Sequence, residues 1–377
     1  MMQRFESVLI QRPTLVDEIV KWITPESVMK ALVPIADTPS PSGVSSLTRG
    51  PIIQEWFESQ KLIDKGATLA SNVFDSGTEV LSFGKGGLSL FAHLDEVSYL
   101  FCEPIKPGLA RITPYCYHLA KQPVPARIIR FNSNGGWNIL CEAEVYMKSN
   151  DYFVSYPVDV EFGFTDRVVL ASSVTYDANS GLLTGSMDNA AGVAAALIAC
   201  DLMVHLGIPF NCYLTDEEEG PAGSSSQTIS RGAARILRHV EQSPLSAIID
   251  IHGLNEVELA KSLNHQISWG ASLAEFSSGG RGSVSLPEIL LTLSETFSKL
   301  EDSGIRVRQN IGGYVPRSDD VVAMLHSNRL VILGYPGINR HFDQGLPTVN
   351  LNDLVNLARA LVVIGAMVSP IALTMSQ

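Results

Sequence analysis

Disulfide chemistry has little to work with in this chain. Its five cysteines (Cys102, Cys116, Cys141, Cys200 and Cys212) are odd in number, scattered, and form no Cys-x-x-C pair. That argues against a disulfide scaffold and against a Cys-based zinc site, and it favours a reducing, cytoplasmic setting. Positive charge is also scarce. With 27 Lys+Arg against 39 Asp+Glu the formal net charge is −12. Nucleic acid and anionic membrane surfaces both need basic patches, so neither is expected as a partner. Long apolar runs are missing too. The longest, from Ala360 to Val368, is closed off by Arg359 and Pro370 and is too short to span a bilayer. It reads as the buried face of a C-terminal helix. The opening residues MMQRFESVLIQRPTLVDE lack an apolar h-region, so no signal peptide is expected. No internal repeat or low-complexity tract is present.

What the chain does have is apolar material. Hydrophobic residues make up 45% of 377. That is ample for a core, and the length suits two domains or one large domain with an insertion. Near the start, Thr24-Pro25-Glu26-Ser27 reads as a helix N-cap with Pro in the first turn. A Pro/Gly-rich loop follows at Asp37–Gly43, then a second helix over Pro51–Leu62. Four short apolar runs come later: Leu88–Ala92, Phe210–Leu214, Ala247–Ile249 and Leu330–Leu333. Short apolar runs separated by helix-length segments read as buried parallel strands. Between residues 103 and 175 the pattern alternates with period two (Val124–Phe131, Trp137–Tyr146, Arg167–Ser172), with a turn at Asn132–Gly136. This predicts a small β-domain inserted into an α/β domain made of residues 1–102 and 176–377. The Gly-rich stretch Ser277–Gly282 does not follow a strand as a phosphate-binding loop would, and reads as a flexible surface loop.

Each apolar run leads towards a chemically capable residue. His93 and Asp95 follow the first. Asp216-Glu217-Glu218-Glu219-Gly220 follows the second, Asp250 the third, and His341 comes after the fourth. Ligands in open α/β sheets bind beyond the carboxyl ends of strands, which is where these residues fall. Asp188 opens a small-residue helix, Ala190–Leu202. Taken singly, each has a plain structural reading. His93 and His341 suit a structural histidine, Asp188 an N-cap, Asp250 a cap or loop acid, and the acidic run a solvated face. Jointly they form a set of nitrogen and oxygen ligands suited to zinc, cobalt or manganese. The set is large enough for two metal ions, with a carboxylate left over as a base.

In their order, these residues resemble the co-catalytic zinc exopeptidases. Within that clan they are most similar to the glutamyl (deblocking, tetrahedral-assembly) aminopeptidases. Thr38-Pro39-Ser40-Pro41-Ser42-Gly43 looks like the family's early signature and Ala92–Val97 like its first metal motif. The resemblance implies an α/β fold with a mixed, largely parallel sheet flanked by helices and a small inserted β-barrel-like domain. It implies two divalent ions held by His93, Asp188, Glu218, Asp250 and His341, with Asp188 bridging. It makes Glu217 the general base and Asp95 the partner of His93. Ser318-Asp319 resembles the polar pair before the last strand. Three departures stand out. Asp188-Asn189-Ala190-Ala191-Gly192 is closer to other branches of the clan, and Asp216 matches the Asp-Glu-Glu form of dipeptidases and tripeptidases. Glu219 also stands where an apolar residue is usual.

The activity implied is removal of N-terminal residues from peptides, by a homo-oligomer. Its rivals are another two-metal amide hydrolase (dipeptidase, carboxypeptidase or N-acyl deacylase) and a non-catalytic metal-binding relative. Arg281, Arg308 and Arg340 are each able to recognise an acidic side chain, or to be plain surface arginines. His252 reads as a support for Asp250 or as structural. His118, His205, His239, His265 and His326 lack any partner pattern.

Overall fold

A computed structural model describes residues 2–116, 123–133, 135–220, 229–254, 267–342 and 345–369. Four helices come first: α1 (Phe5–Gln11), α2 (Leu15–Trp22), α3 (Pro25–Ala36) and α4 (Ser45–Ser59). Strands β1 (Thr68–Ala70), β2 (Glu79–Phe83) and β3 (Leu88–His93) follow. Next come β4 (Ser98–Lys106), β5 (Leu109–Pro114), β6 (Val124–Phe131), β7 (Trp137–Lys148), β8 (Asp151–Ser155) and β9 (Arg167–Leu170). The chain then returns through β10 (Thr175–Asp177), β11 (Leu182–Thr184), α5 (Met187–His205), β12 (Phe210–Thr215), α6 (Arg231–Ile236) and β13 (Leu245–Gly253). It ends with β14 (Ala271–Ala274), α7 (Pro287–Leu300), β15 (Val307–Gln309), α8 (Asp320–His326), β16 (Leu330–Ile338), β17 (Thr348–Asn350) and α9 (Leu351–Val368).

The main sheet runs β1-β2-β12-β3-β13-β16-β17-β11-β10, with β14 and β15 branching from β16. Its centre, β12-β3-β13-β16, is parallel throughout. These are the four apolar runs of the sequence. β3 is buried along its whole length because helices cover both faces of such a sheet. The flanking strands are antiparallel, so the sheet is mixed. α5 lies in the core: Met187 to Val204 are all buried, and its small residues let it pack closely against α3 and α9. α5 and α9 are each long and apolar enough to cross a membrane, but they are 100% and 83% buried inside the protein, as core helices are.

Strands β4-β5-β8-β7-β6-β9 close into a barrel. It has its own apolar core, including Tyr99, Ile112, Ile128, Val145 and Val168. Phe342, next to His341, is buried in that core, as is Cys116. The barrel therefore anchors one side of the site.

Two local expectations differ from what is found. α4 begins at Ser45, not at Pro51, which sits inside the helix. The start is decided by a distant residue. Asp216 accepts hydrogen bonds from the Gly43 and Ser45 amides (3.0 and 3.1 Å) and the Ser45 hydroxyl (2.8 Å), satisfying helix N-terminal donors from outside the helix. The Ser277–Gly282 loop is tied down rather than flexible. Ser277 and Ser283 are fully buried, and both donate side-chain hydrogen bonds to Asp320. The Asn132–Gly136 turn includes Asn134, which lies outside the described residues, as do His118 and His265.

Candidate metal centre

His93 ends β3, and Thr215 ends the neighbouring β12, so the acidic run begins beside the histidine. β13 pairs with β3 only from Leu245 to Ile248, while its pairing with β16 continues to Gly253. Asp250 therefore projects beyond the end of that ladder. Asp188 sits at the start of α5, where its peptide bond to Asn189 is cis. Gly192 brings this helix close to β13: a Cβ there would lie 2.1 Å from Asn189 Oδ1 and 3.0 Å from Ile249. Asn189 is itself fixed, donating to the Ile249 carbonyl (2.7 Å) and accepting from Tyr335 (2.9 Å).

The loop Asp37–Gly43 clamps the segment after His93. Ser40 and Glu96 are joined by two hydrogen bonds, and the fully buried Arg49 of α4 donates to the Leu94 carbonyl (2.6 Å) and pairs with Glu96 (2.9 Å). His93 Nδ1 donates to the Asp95 carbonyl oxygen (3.0 Å), which leaves Nε2 facing the acidic cluster. The Asp95 carboxylate is 3.6 Å from Nδ1. Its closer partners are the Ser42 hydroxyl (2.5 Å) and the amides of Glu218 (3.0 Å) and Glu219 (3.3 Å). Asp95 thus holds the acidic run in place, and it supports His93 chiefly through its backbone.

Two groups of ligand-type atoms result. In the first, His93 Nε2 lies 3.2 Å from Asp188 Oδ1 and 3.6 Å from Asp250 Oδ1. In the second, Glu219 Oε2 lies 3.4 Å from His341 Nε2 and 2.8 Å from Cys116 Sγ. Asp188 reaches both, because its Oδ2 is 3.7 Å from His341 Nε2. Glu218 Oε2 is 3.9 Å from His93 Nε2. Glu217 turns away: its carboxylate pairs with Arg235 (2.9 Å) and Arg231 (3.8 Å). Its φ of +56° turns the backbone so that successive acids in the run face different ways.

The family resemblance implied Glu217 as the base and Glu218 as a ligand. In the folded chain the two carboxylates at the cluster are Glu218 and Glu219, one residue later. The turn after Gly220, which includes Gly223, lies outside the described residues. Cys116, which stands in the second group, was not singled out from the sequence, because a lone cysteine in a β-rich segment carries no spacing signal. Arg340 donates to His341 Nε2 (2.8 Å), lies 3.9 Å from Asp188 Oδ2, and stacks over Tyr314. Arg308 instead pairs with Glu301, and buried His252 bonds Ser272.

The electrostatics are lopsided. Asp95, Asp188, Glu218, Glu219, Asp250 and Asp319 are all less than a tenth exposed. Burial, then Asp250, pushes Asp188 up to about 6. Burial pushes Glu218 well above the usual carboxylate range and Asp319 up to about 7. Burial alone would lower His93, but Glu218, Asp188, Asp250 and Asp95 together hold it well above its ordinary value. Burial would raise Glu219, yet His341, His93 and the Cys116 thiol bring it down to about 2. His93 Nε2, Asp188 Oδ1 and Glu219 Oε1 are buried without a hydrogen-bond partner. Unpartnered polar atoms in a crowd of buried carboxylates are what bound cations would satisfy. The residues present therefore fit divalent metal ions.

No protein-family model and no curated protein matches this chain. Solved structures do. A TET aminopeptidase from a marine sediment thaumarchaeon superposes with TM-score 0.72 at 14% identity, covering 92% of this chain and 97% of that one. An aminopeptidase from the archaeon Desulfurococcus kamchatkensis gives 0.71 at 14%, over 92% and 95%. The Pyrococcus horikoshii TET1 peptidase, which can assemble into a tetrahedron or a large octahedral shell, gives 0.67 at 14%, over 90% and 99%. The chain thus has the fold of tetrahedral-assembly aminopeptidases, as its motif order implied.

Proposed function

We propose that this chain is a metal-dependent aminopeptidase that hydrolyses the N-terminal bond of peptides. The observation that carries the reading is Asp188, whose two oxygens face two separate ligand groups, in the fold of known aminopeptidases. His93, Asp188 and Asp250 would hold one divalent ion. Asp188, Glu219 and His341 would hold the other. Zinc is the first expectation from this donor set, then cobalt or manganese. Two such ions supply Lewis acidity towards a scissile carbonyl and a hydroxide source near neutral pH.

Glu218 then takes the role that the resemblance implied for Glu217. Its buried carboxylate accepts a proton from the attacking water and returns it to the leaving amine. Asp95 keeps Glu218 and Glu219 in register through their amides. Glu217, tied to Arg235, shapes the rim. A substrate α-amine would find the acidic cluster complementary, which confines cleavage to the N-terminus. We further propose that residues 103–175 act as an inserted unit on a catalytic domain of residues 1–102 and 176–377. A homo-oligomer and a cytoplasmic location complete the reading; the assembling TET1 neighbour supports the former.

The test is a panel of chromogenic amino-acid amides, free and N-acetylated, offered to protein that has been chelated and reloaded with zinc, cobalt or manganese. Cleavage of free-amine members alone, lost with chelator and restored by metal, is expected. Cleavage of blocked members would move the chain to a deacylase or carboxypeptidase. No cleavage under any metal would leave a binding relative.

A further inference from the structure

The Cys116 thiol stands inside the second ligand group, contributed by the barrel and not by the α/β sheet. We propose that Cys116 is a thiolate ligand of the second ion, beside Asp188, Glu219 and His341. This inference rests on the two-ion reading above.

Geometry supports it. Cys116 Sγ is 2.8 Å from Glu219 Oε2 and 4.0 Å from His341 Nε2, and those two atoms are 3.4 Å apart. Tetrahedral zinc with ordinary bond lengths has ligand–ligand edges of about 3.4–3.6 Å. The nitrogen–oxygen edge is already there. The sulfur–nitrogen edge must close by a few tenths of an ångström, and the sulfur–oxygen edge must open as its hydrogen bond is given up. A second observation points the same way: Glu219 is 7% exposed, and its Oε1 has no hydrogen-bond partner. The Cys116 sulfur is held at the other oxygen of that carboxylate.

On binding, the S–H bond breaks, its proton goes to solvent, and the sulfur pair forms the bond to the ion. Arg340 must withdraw from His341 Nε2, and its partial exposure over Tyr314 gives it room. The consequence is a division of labour. Four protein donors, one of them soft, would close the second position and would select zinc or cadmium over manganese or magnesium. The first position, with His93, Asp188 and Asp250 as its three protein donors, would leave a place for water and substrate.

Cobalt-loaded full-length protein tests this without reference to activity. The expected result is two cobalt ions per chain with a near-ultraviolet thiolate-to-cobalt charge-transfer band. Cys116→Ser should lose that band, although the other four cysteines remain, and should bind its second ion about 10–100-fold more weakly. Two cobalt ions without the band would overturn the Cys116 assignment and leave the two-ion reading standing. A single cobalt without the band would also overturn it, with Arg340 retaining the second position. Failure of the wild-type chain to bind any cobalt would overturn both.

Discussion

Glu218 and Glu219 are sequence neighbours whose carboxyls are pushed in opposite directions, up for Glu218 and down to about 2 for Glu219. Both are buried, so burial does not separate them. The difference is the neighbour: Glu219 meets His341 and the Cys116 thiol, while Glu218 meets Asp250 and Glu219 as well as His93. The proposed reading makes Glu219 a metal ligand and Glu218 the proton carrier, and the opposite shifts agree with it. Glu218→Gln should therefore lower turnover by about 10²–10⁴-fold while metal content, measured by elemental analysis, stays at the wild-type level. Glu217→Gln should leave turnover within a few-fold. If the Glu217 variant collapses instead and the Glu218 variant stays active, the base returns to Glu217. The sequence alone could not choose between them. Four consecutive acids offer every register equally, and only the backbone turn at Glu217 decides which carboxylates reach the cluster.

At the scale of elements, the junction of α5 with β13 carries Asp188. Gly192 is required there because a side chain would collide with Asn189, which is itself hydrogen-bonded to Ile249 and Tyr335. Gly192→Ala is expected to cost about 1–3 kcal/mol in denaturant unfolding, as overpacked sites do. It should also weaken metal binding, since the displaced Asn189 adjoins Asp188. A variant of unchanged stability and affinity would show that the junction can relax. The element pattern was legible from hydrophobicity: the four apolar runs became the four parallel strands at the sheet's centre. Boundaries set from outside an element were not. α4 starts at Ser45 because Asp216, far away in sequence, supplies its cap. The Gly-rich loop is held because Asp320 is buried beneath it.

For the molecule as a whole, the acidic cluster links stability, pH and metal. Asp188, Asp216 and Asp319 are raised to about 6, 7 and 7. A carboxyl raised in the folded state binds protons more readily there than when unfolded. These three carboxyls should therefore give the metal-free protein a stability contribution that is fully present below the ordinary carboxylate range and is lost as pH rises through 6 to 7. Bound cations offset the same repulsion, and they compete with protons for these groups. Chelation should thus lower the Tm by several degrees at pH 8 and by much less at pH 5, with zinc restoring it. A Tm indifferent to chelator at pH 8 would contradict a metal-filled cluster.

The sequence by itself determined the kind of chain this is: acidic, without a disulfide pattern, with apolar strands whose carboxyl ends each lead to a histidine or an acid. Periodicity and local composition carry that information, because a strand's burial and a loop's polarity are written residue by residue. The tertiary structure decided which of those groups meet. It placed the Glu218 and Glu219 carboxylates at the cluster and that of Glu217 beside Arg235, turned Asp95 towards the Glu218 and Glu219 amides, and brought Cys116 from the barrel beside Glu219 and His341. Those are contacts between residues far apart in the chain. Their distances are set by how a barrel and a sheet pack together, which no local pattern encodes.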